Sequence, residues 1–243
     1  MRTPTDILSL ASALAVALPS AGCRTVDPQA KSETEILLST TRTETEELPD
    51  KVDKVPWAVG QWAKYKIVSG ETPSVVRYSI VGQEGEDFWM EILNSDYYQS
   101  GYQKWLVSGI DPGDPRNIEG LQVKRVFNWS PKSGQKHSVE MPGIATGLAE
   151  TALRSMALDI SDEPGEAVSV PGGRFDSRLL KTDVMVLGMH SESDVWMNGA
   201  VPIWGIVKTA ATDGSHRMEL IDFGLEGAEA KVPDPRAGKK SPF

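Results

Sequence analysis

Few residues in this chain have a type and spacing that could support catalysis. The three histidines, His137, His190 and His216, are spread over about 80 residues and show no metal-ligand spacing such as HExxH. His190 begins the segment HSESD (190–194), which places a histidine beside two serines and two acids. Catalytic triads assemble from separate chain positions at a specific geometry, so we interpret this segment as a polar loop between two strands.

Asp111 and Asp114 lie in DPGDPRN (111–117), a segment that hints at calcium binding. The two prolines disrupt the alternating ligand positions that an EF-hand loop needs, and a tight turn is the favoured interpretation. The chain also has no G-x-S-x-G elbow, P-loop or dinucleotide fingerprint. We therefore predict no catalytic residues, no metal site and no cofactor.

The single cysteine, Cys23, ends a segment that is typical of protein export. Arg2 supplies a positive charge near the start, and 12 uncharged residues run from Ile7 to Leu18. This apolar run is too short to span a bilayer, since a membrane-spanning helix needs about 20 residues. A sole cysteine cannot form an intramolecular disulfide, which leaves its thiol available for modification.

The segment Ser20-Ala21-Gly22-Cys23 resembles the lipobox of bacterial lipoproteins, except at Ser20, where that family usually has leucine. The resemblance implies cleavage between Gly22 and Cys23 and attachment of lipid to the Cys23 thiol. Several acyl chains make a stable membrane anchor, because each buried methylene contributes about 0.8 kcal/mol. By the same resemblance, Arg24 favours the outer membrane of the cell envelope, facing the periplasm. The alternative is an ordinary secreted protein, cut after Ala21 or Gly22.

Composition divides the chain into four parts. We predict a signal peptide over residues 1–22 and a lipidated cysteine with a flexible, charged tether over 23–54, where charge is dense and aromatic residues are absent. Residues 55–232 are enough for one β-rich domain with a substantial core, and 233–243 form a loose tail. The net charge of −9 opposes binding to nucleic acid, which we exclude as a partner.

The predicted domain alternates apolar and polar residues in short segments separated by turns. GQWAKYKIV (60–68), VVRYSIVGQ (75–83) and FWMEIL (88–93) predict successive antiparallel strands. From Ile144 to Leu158 the apolar residues change to helical spacing. The sequence therefore predicts an α+β fold that is mainly antiparallel β, a curved sheet or incomplete barrel with one packed amphipathic helix.

The second half of the domain contains the segments VPGGRF (170–175), VW (195–196), VPIWGIVK (201–208) and MELIDFG (218–224). In these segments it resembles the Lol-type lipoprotein carriers and related curved-sheet domains of the bacterial envelope. The resemblance implies an apolar cavity, plugged by the predicted helix, that binds an acyl chain or the lipid of a lipoprotein.

All seven tryptophans of the chain lie in the predicted domain. A strand tryptophan usually packs in the core with its N–H satisfied at an edge, but some could line a concave apolar site. The candidate cavity residues are Trp62, Tyr65, Trp89, Leu148, Leu153, Trp196 and Trp204.

Together these features predict a membrane-anchored, non-enzymatic envelope lipoprotein. It would bind a hydrophobic ligand, either an acyl chain or a lipoprotein lipid, or it would bind an envelope partner protein. One alternative is a structural or assembly accessory lipoprotein of an envelope complex, with no ligand cavity. A second is an envelope hydrolase.

Overall fold

The computed structural model describes residues 25–41, 47–110, 120–134, 136–160, 164–186 and 189–233. Within these ranges the chain forms one 12-stranded sheet, two α-helices and a short 3-10 helix. The fold class is the predicted one, α+β with a curved, mainly antiparallel sheet and a packed helix. The elements in chain order are α1 (Pro28–Ser39), β1 (Glu47–Leu48), β2 (Trp62–Ser69), β3 (Pro73–Glu84), β4 (Asp87–Ser95), β5 (Ser100–Ser108), β6 (Gln122–Trp129), a 3-10 helix (Pro131–Ser133), β7 (Val139–Glu140), α2 (Gly143–Met156), β8 (Pro164–Val170), β9 (Gly173–Val186), β10 (Met189–Met197), β11 (Ile206–Ala211) and β12 (His216–Gly224).

The strands are ordered β1-β9-β10-β11-β12-β2-β3-β4-β5-β6-β7, and β8 pairs with β9 outside this path. Strand β1 runs parallel to β9, and the other described pairs are antiparallel. Bulges interrupt the register, for example between Ile80 and Gly82, and bulges bend the strands that contain them. The β8–β9 hairpin folds back onto the sheet, where the Gly172 N–H donates to the Leu220 carbonyl at 3.0 Å. The sheet is therefore strongly curved and open.

One face of the sheet, which we call the inner face, carries the hydrophobic core. Successive strands contribute Tyr65, Tyr78, Met90 and Trp105 to it, and none of these side chains is more than 9% exposed. Helix α2 contacts β6 and packs on this face through one apolar stripe. The stripe consists of Ala149, Ala152, Leu153 and Met156. This helix is the amphipathic helix predicted from the sequence, and it ends two residues earlier than expected.

Helix α1 packs on the opposite face, the outer face, and lies within the range predicted to be a flexible tether. The Asp27 carboxylate caps the helix by accepting the backbone N–H groups of Gln29 and Ala30 at 2.9 and 3.1 Å. Thr34 is fully buried, and its hydroxyl lies 2.9 Å from the hydroxyl of Ser95 on β4. Residues 28–39 are therefore helical and packed, because hydrogen bonds from Thr34 and Asp27 to residues 95–97 hold a helix that has no wide apolar face.

The rest of the predicted tether is also partly folded. Residues Glu47–Leu48 pair with β9. The Gly199 N–H donates to the Lys51 carbonyl at 2.7 Å, and the Val55 N–H donates to the Gly199 carbonyl at 3.0 Å. A Cβ atom at Gly199 would lie 2.2 Å from the Asp53 carbonyl, so this close approach requires glycine. The folded part thus begins before Val55, its predicted first residue.

Candidate functional site

The predicted lipid attachment site at Cys23, and the cleavage site between Gly22 and Cys23, lie outside the described residues. None of the helices in the described ranges is both long enough and apolar enough to cross a membrane. The predicted tail, residues 233–243, also lies outside the described part except for its first residue.

Four of the seven candidate cavity residues belong to the hydrophobic core. Tyr65, Leu153 and Trp204 are 0–1% exposed, and Trp196 is 9% exposed. The Tyr65 hydroxyl donates to the Ile206 carbonyl at 3.1 Å, and the Trp204 ring makes edge contacts with Tyr78 and Trp57 at centroid distances of 5.7 and 5.5 Å. Contacts with neighbouring side chains surround these residues, as expected of core residues.

Two more candidates, Trp62 and Trp89, lie on the outer face, because each precedes or follows an inward-facing residue by one position on its strand. The Trp62 indole N–H donates to the Glu226 carbonyl at 3.1 Å. The Trp89 indole N–H donates to the Glu84 carboxylate at 3.2 Å, and its ring packs against Phe127 at 5.9 Å. These two residues cannot line a cavity on the inner face.

The last candidate, Leu148, belongs to neither group, and Trp196 makes polar contacts in addition to its core contacts. Leu148 on α2 is 49% exposed. Trp196 on β10 donates its indole N–H to the Glu166 carboxylate at 3.0 Å, and the Lys208 ammonium lies over its ring at 4.8 Å. The structure therefore does not bring the seven candidate residues together around one site.

The structure describes the side chains of two of the three histidines considered in the sequence. His137 and His216 are half-buried beside different strands, and burial lowers the pKa of His216, partly offset by Asp213. Residues 111–117 and the side chain of His190 lie outside the described part. Across the described ranges, no three His, Cys, Asp or Glu side chains are grouped so that they could hold a metal ion.

A pocket of about 130 Å³ lies on the outer face, between the sheet and the segment of residues 225–233, which we call the C-terminal strap. Strands β3, β4 and β5 form its floor, and the strap forms its wall. The lining residues are Arg77, Ser79, Glu91, Leu93, Tyr102, Gly227, Glu229 and Lys231.

Glu91 holds the C-terminal strap in place. Its two carboxylate oxygens accept the backbone N–H groups of Lys231 at 2.7 Å and Val232 at 3.1 Å. Glu91 is 3% exposed, and the Lys104 ammonium lies 3.8 Å from its carboxylate. Burial raises the pKa of Glu91, although the two backbone hydrogen bonds and Lys104 act in the opposite direction.

Arg77 faces the same pocket from β3. Its guanidinium stacks on the Trp62 ring, 4.3 Å from the ring centroid. The Nε atom is buried without a hydrogen-bond partner, and Arg77 forms no ion pair with any described residue. Burial lowers the pKa of Arg77, while Tyr102 and Asp222 raise it. A guanidinium stays protonated at neutral pH, so Arg77 brings to the pocket a positive charge that has no direct ion pair among the described residues.

Sequence reasoning missed this pocket. Its floor residues alternate with core residues on three strands, and the strap contacts Glu91 from 140 residues further along the chain. One signal was available, because Arg77 and Glu91 are charged residues in strands that are otherwise largely apolar.

No protein-family model matches this chain, and no curated protein matches it. Among solved structures, the chain is similar to a candidate exported protein with a YmcC-like fold from Bacteroides fragilis NCTC 9343. The identity is 9%, the TM-score is 0.35, and the match covers 71% of this chain and 99% of the other. A likeness at this level carries no conclusion about function.

Proposed function

We propose that this protein is a non-enzymatic lipoprotein of the bacterial cell envelope that acts through the surface of its β domain on an envelope partner. The observation that carries the proposal is Cys23, the sole cysteine, at the end of an export-like segment. The acyl chains on Cys23 would hold the domain at a membrane, most simply the outer membrane on its periplasmic side.

The short connection to Cys23 supports a domain that lies close to its membrane. Asp27 already caps α1, so the chain from Cys23 to Asp27 spans at most about 14 Å. Helix α1 packs on the outer face, next to the strands that carry the pocket. The N-terminal end of α1 would therefore be oriented toward the lipid headgroups, and the surfaces away from it would be accessible to a partner.

The packing of the inner core favours partner binding over the carriage of lipid. Tyr65, Leu153 and Trp204 fill the concave side of the sheet together with the other core residues. The binding of an acyl chain is the second candidate function. It is supported by the open, curved sheet and by Ile144 and Leu148 of α2, which are 76% and 49% exposed beside the core.

The anchor is tested by labelling growing cells with palmitate. We expect Cys23→Ser to abolish incorporation and to leave an uncleaved or unanchored protein, because no second thiol can accept the diacylglycerol. A matched control is Ser20→Leu, which restores the usual lipobox residue and should keep the label. Labelled palmitate on the Cys23→Ser protein would overturn the proposal.

The mode of binding is tested on the Cys23→Ser protein, which carries no acyl chain of its own. Under the partner hypothesis, native mass spectrometry shows an empty protein that does not bind a fluorescent fatty acid, and a pull-down of wild-type protein from envelope extract recovers a partner. Co-purified lipid together with fatty-acid binding would establish the carrier function instead.

A further inference from the structure

We propose that the outer-face pocket binds a small oxyanion, a phosphate or carboxylate group, with Arg77 as its principal ligand. The inference does not depend on the Cys23 anchor. It rests on the charges, the donors and the size of the pocket.

The acidic groups in and around the pocket each have a hydrogen-bond or ion-pair partner, whereas Arg77 stacks on Trp62 and forms no ion pair with a described residue. Glu91 accepts two backbone N–H groups and lies 3.8 Å from Lys104. The Glu229 carboxylate accepts from the Lys231 ammonium at 3.1 Å. The Asp222 carboxylate raises the pKa of Arg77 but is paired with Lys64 at 3.8 Å. The Arg77 guanidinium therefore has no ion pair of its own among the described residues, although the protein as a whole has a net charge of −9.

Donors surround this charge. The Ser79 side chain is 8% exposed, and its hydroxyl makes no hydrogen bond within the described part of the chain. The Tyr102 hydroxyl also makes no hydrogen bond within the described part of the chain. The Tyr102 ring packs on the Trp129 ring at a centroid distance of 5.5 Å. Lys231 lines the pocket from the strap. A guanidinium fork with hydroxyl donors nearby matches the geometry of phosphate and carboxylate oxygens.

The Arg77 side chain is also preorganised for binding by the residues that contact it. Stacking on Trp62 fixes the plane of the guanidinium, so less side-chain entropy is lost when a ligand binds. Trp62 is itself held by its hydrogen bond to Glu226 of the strap. The pocket volume of about 130 Å³ is several times the roughly 30 Å³ that one water molecule occupies. It can therefore hold an oxyanion with a few attached carbon atoms.

The test is calorimetric titration of the full chain, purified in detergent, with inorganic phosphate, glycerol 3-phosphate and acetate at constant ionic strength. Glycerol 3-phosphate distinguishes a lipid-type phosphoester from free phosphate. Arg77→Met keeps a long side chain over Trp62 and removes the charge, and should weaken binding about tenfold or more. Tyr102→Phe and Ser79→Ala remove one donor each and should weaken it about threefold to tenfold.

The matched control is Arg125→Met, because Arg125 also lies over an aromatic ring, that of Phe127 at 4.6 Å, but is paired with Glu140. Its affinity should equal that of the wild type. The site is supported if any of the three anions binds saturably, if Arg77→Met weakens that binding by about tenfold or more, and if Arg125→Met leaves it unchanged. No saturable binding, or equal losses in the two variants, overturns it. If Arg77→Met does not fold, as judged by circular dichroism, Tyr102→Phe and Ser79→Ala decide the question in the same titration.

Discussion

Strands β3 and β4 present different chemistry to the two faces of the sheet. Toward the inner face they direct Tyr78, Ile80 and Met90, which pack in a continuous apolar cluster. Toward the outer face the same strands direct Arg77 and Glu91, which depend on specific partners. The inner face is stabilised by the burial and close packing of apolar side chains, whereas the outer face is stabilised by individual hydrogen bonds. Substitutions on the two faces should therefore lower the free energy of unfolding for different reasons.

The largest effect is expected on the inner face, from Trp204→Ala. Trp204 is 1% exposed and contacts two aromatic rings, so truncation leaves a large cavity. We expect the free energy of unfolding to fall by about 3–5 kcal/mol in urea denaturation. Trp89→Ala on the outer face is the control, with an expected loss of about 1 kcal/mol. Equal losses for the two variants would contradict the distinction between the faces.

A smaller effect, with a characteristic pH dependence, is expected from Glu91→Gln. Glutamine has one acceptor oxygen for the two backbone N–H groups of the strap, and an unpaired buried donor costs about 1–3 kcal/mol. Glu84→Gln, an exposed change on the same face, should stay within about 0.5 kcal/mol of wild type.

The pH dependence has a definite sign. Because burial raises the pKa of Glu91 above its usual 4.5, the folded state binds the proton more tightly than the unfolded state. The stability of wild type relative to Glu91→Gln should therefore be greatest below pH 4.5 and should decrease as pH rises through the raised pKa. A stability difference that grows with pH in urea denaturation would contradict this explanation.

The smallest effect concerns the hydroxyl pair that holds α1 on the outer face. Thr34→Val leaves the Ser95 hydroxyl without its partner and should cost about 1 kcal/mol. Replacing both hydroxyls, with Thr34→Val and Ser95→Ala together, should cost less than the sum of the single changes. Strict additivity in a double-mutant cycle would show that the two hydroxyls do not interact.

The fold could be predicted from the sequence in those elements whose buried residues recur with a regular period. Strands β2, β3 and β4 alternate, and α2 repeats its alanines and leucine at helical spacing, so both types of element were predicted close to their observed bounds. Helix α1 was missed because Thr34 and Ala30 are its only buried residues. A polar helix held by hydrogen bonds of Thr34 and Asp27 has no periodic apolar signal.

The outer-face pocket could not be predicted for a different reason. Its residues come from three strands and from the strap, and only the register of the sheet places them together. The seven candidate cavity residues illustrate the limit of residue type as a signal. They were grouped by residue type, whereas strand alternation and the position on α2 assign them to separate surfaces.

The position of β12 has a consequence for the timing of folding. Strand β12 pairs with β2 in the middle of the sheet, so Ser69 must meet His216, about 150 residues further along the chain. Hairpins on either side can form early, but the two halves join only after residue 224 has been synthesised. Such non-local pairing makes folding slow, because a long loop must close before the contacts form.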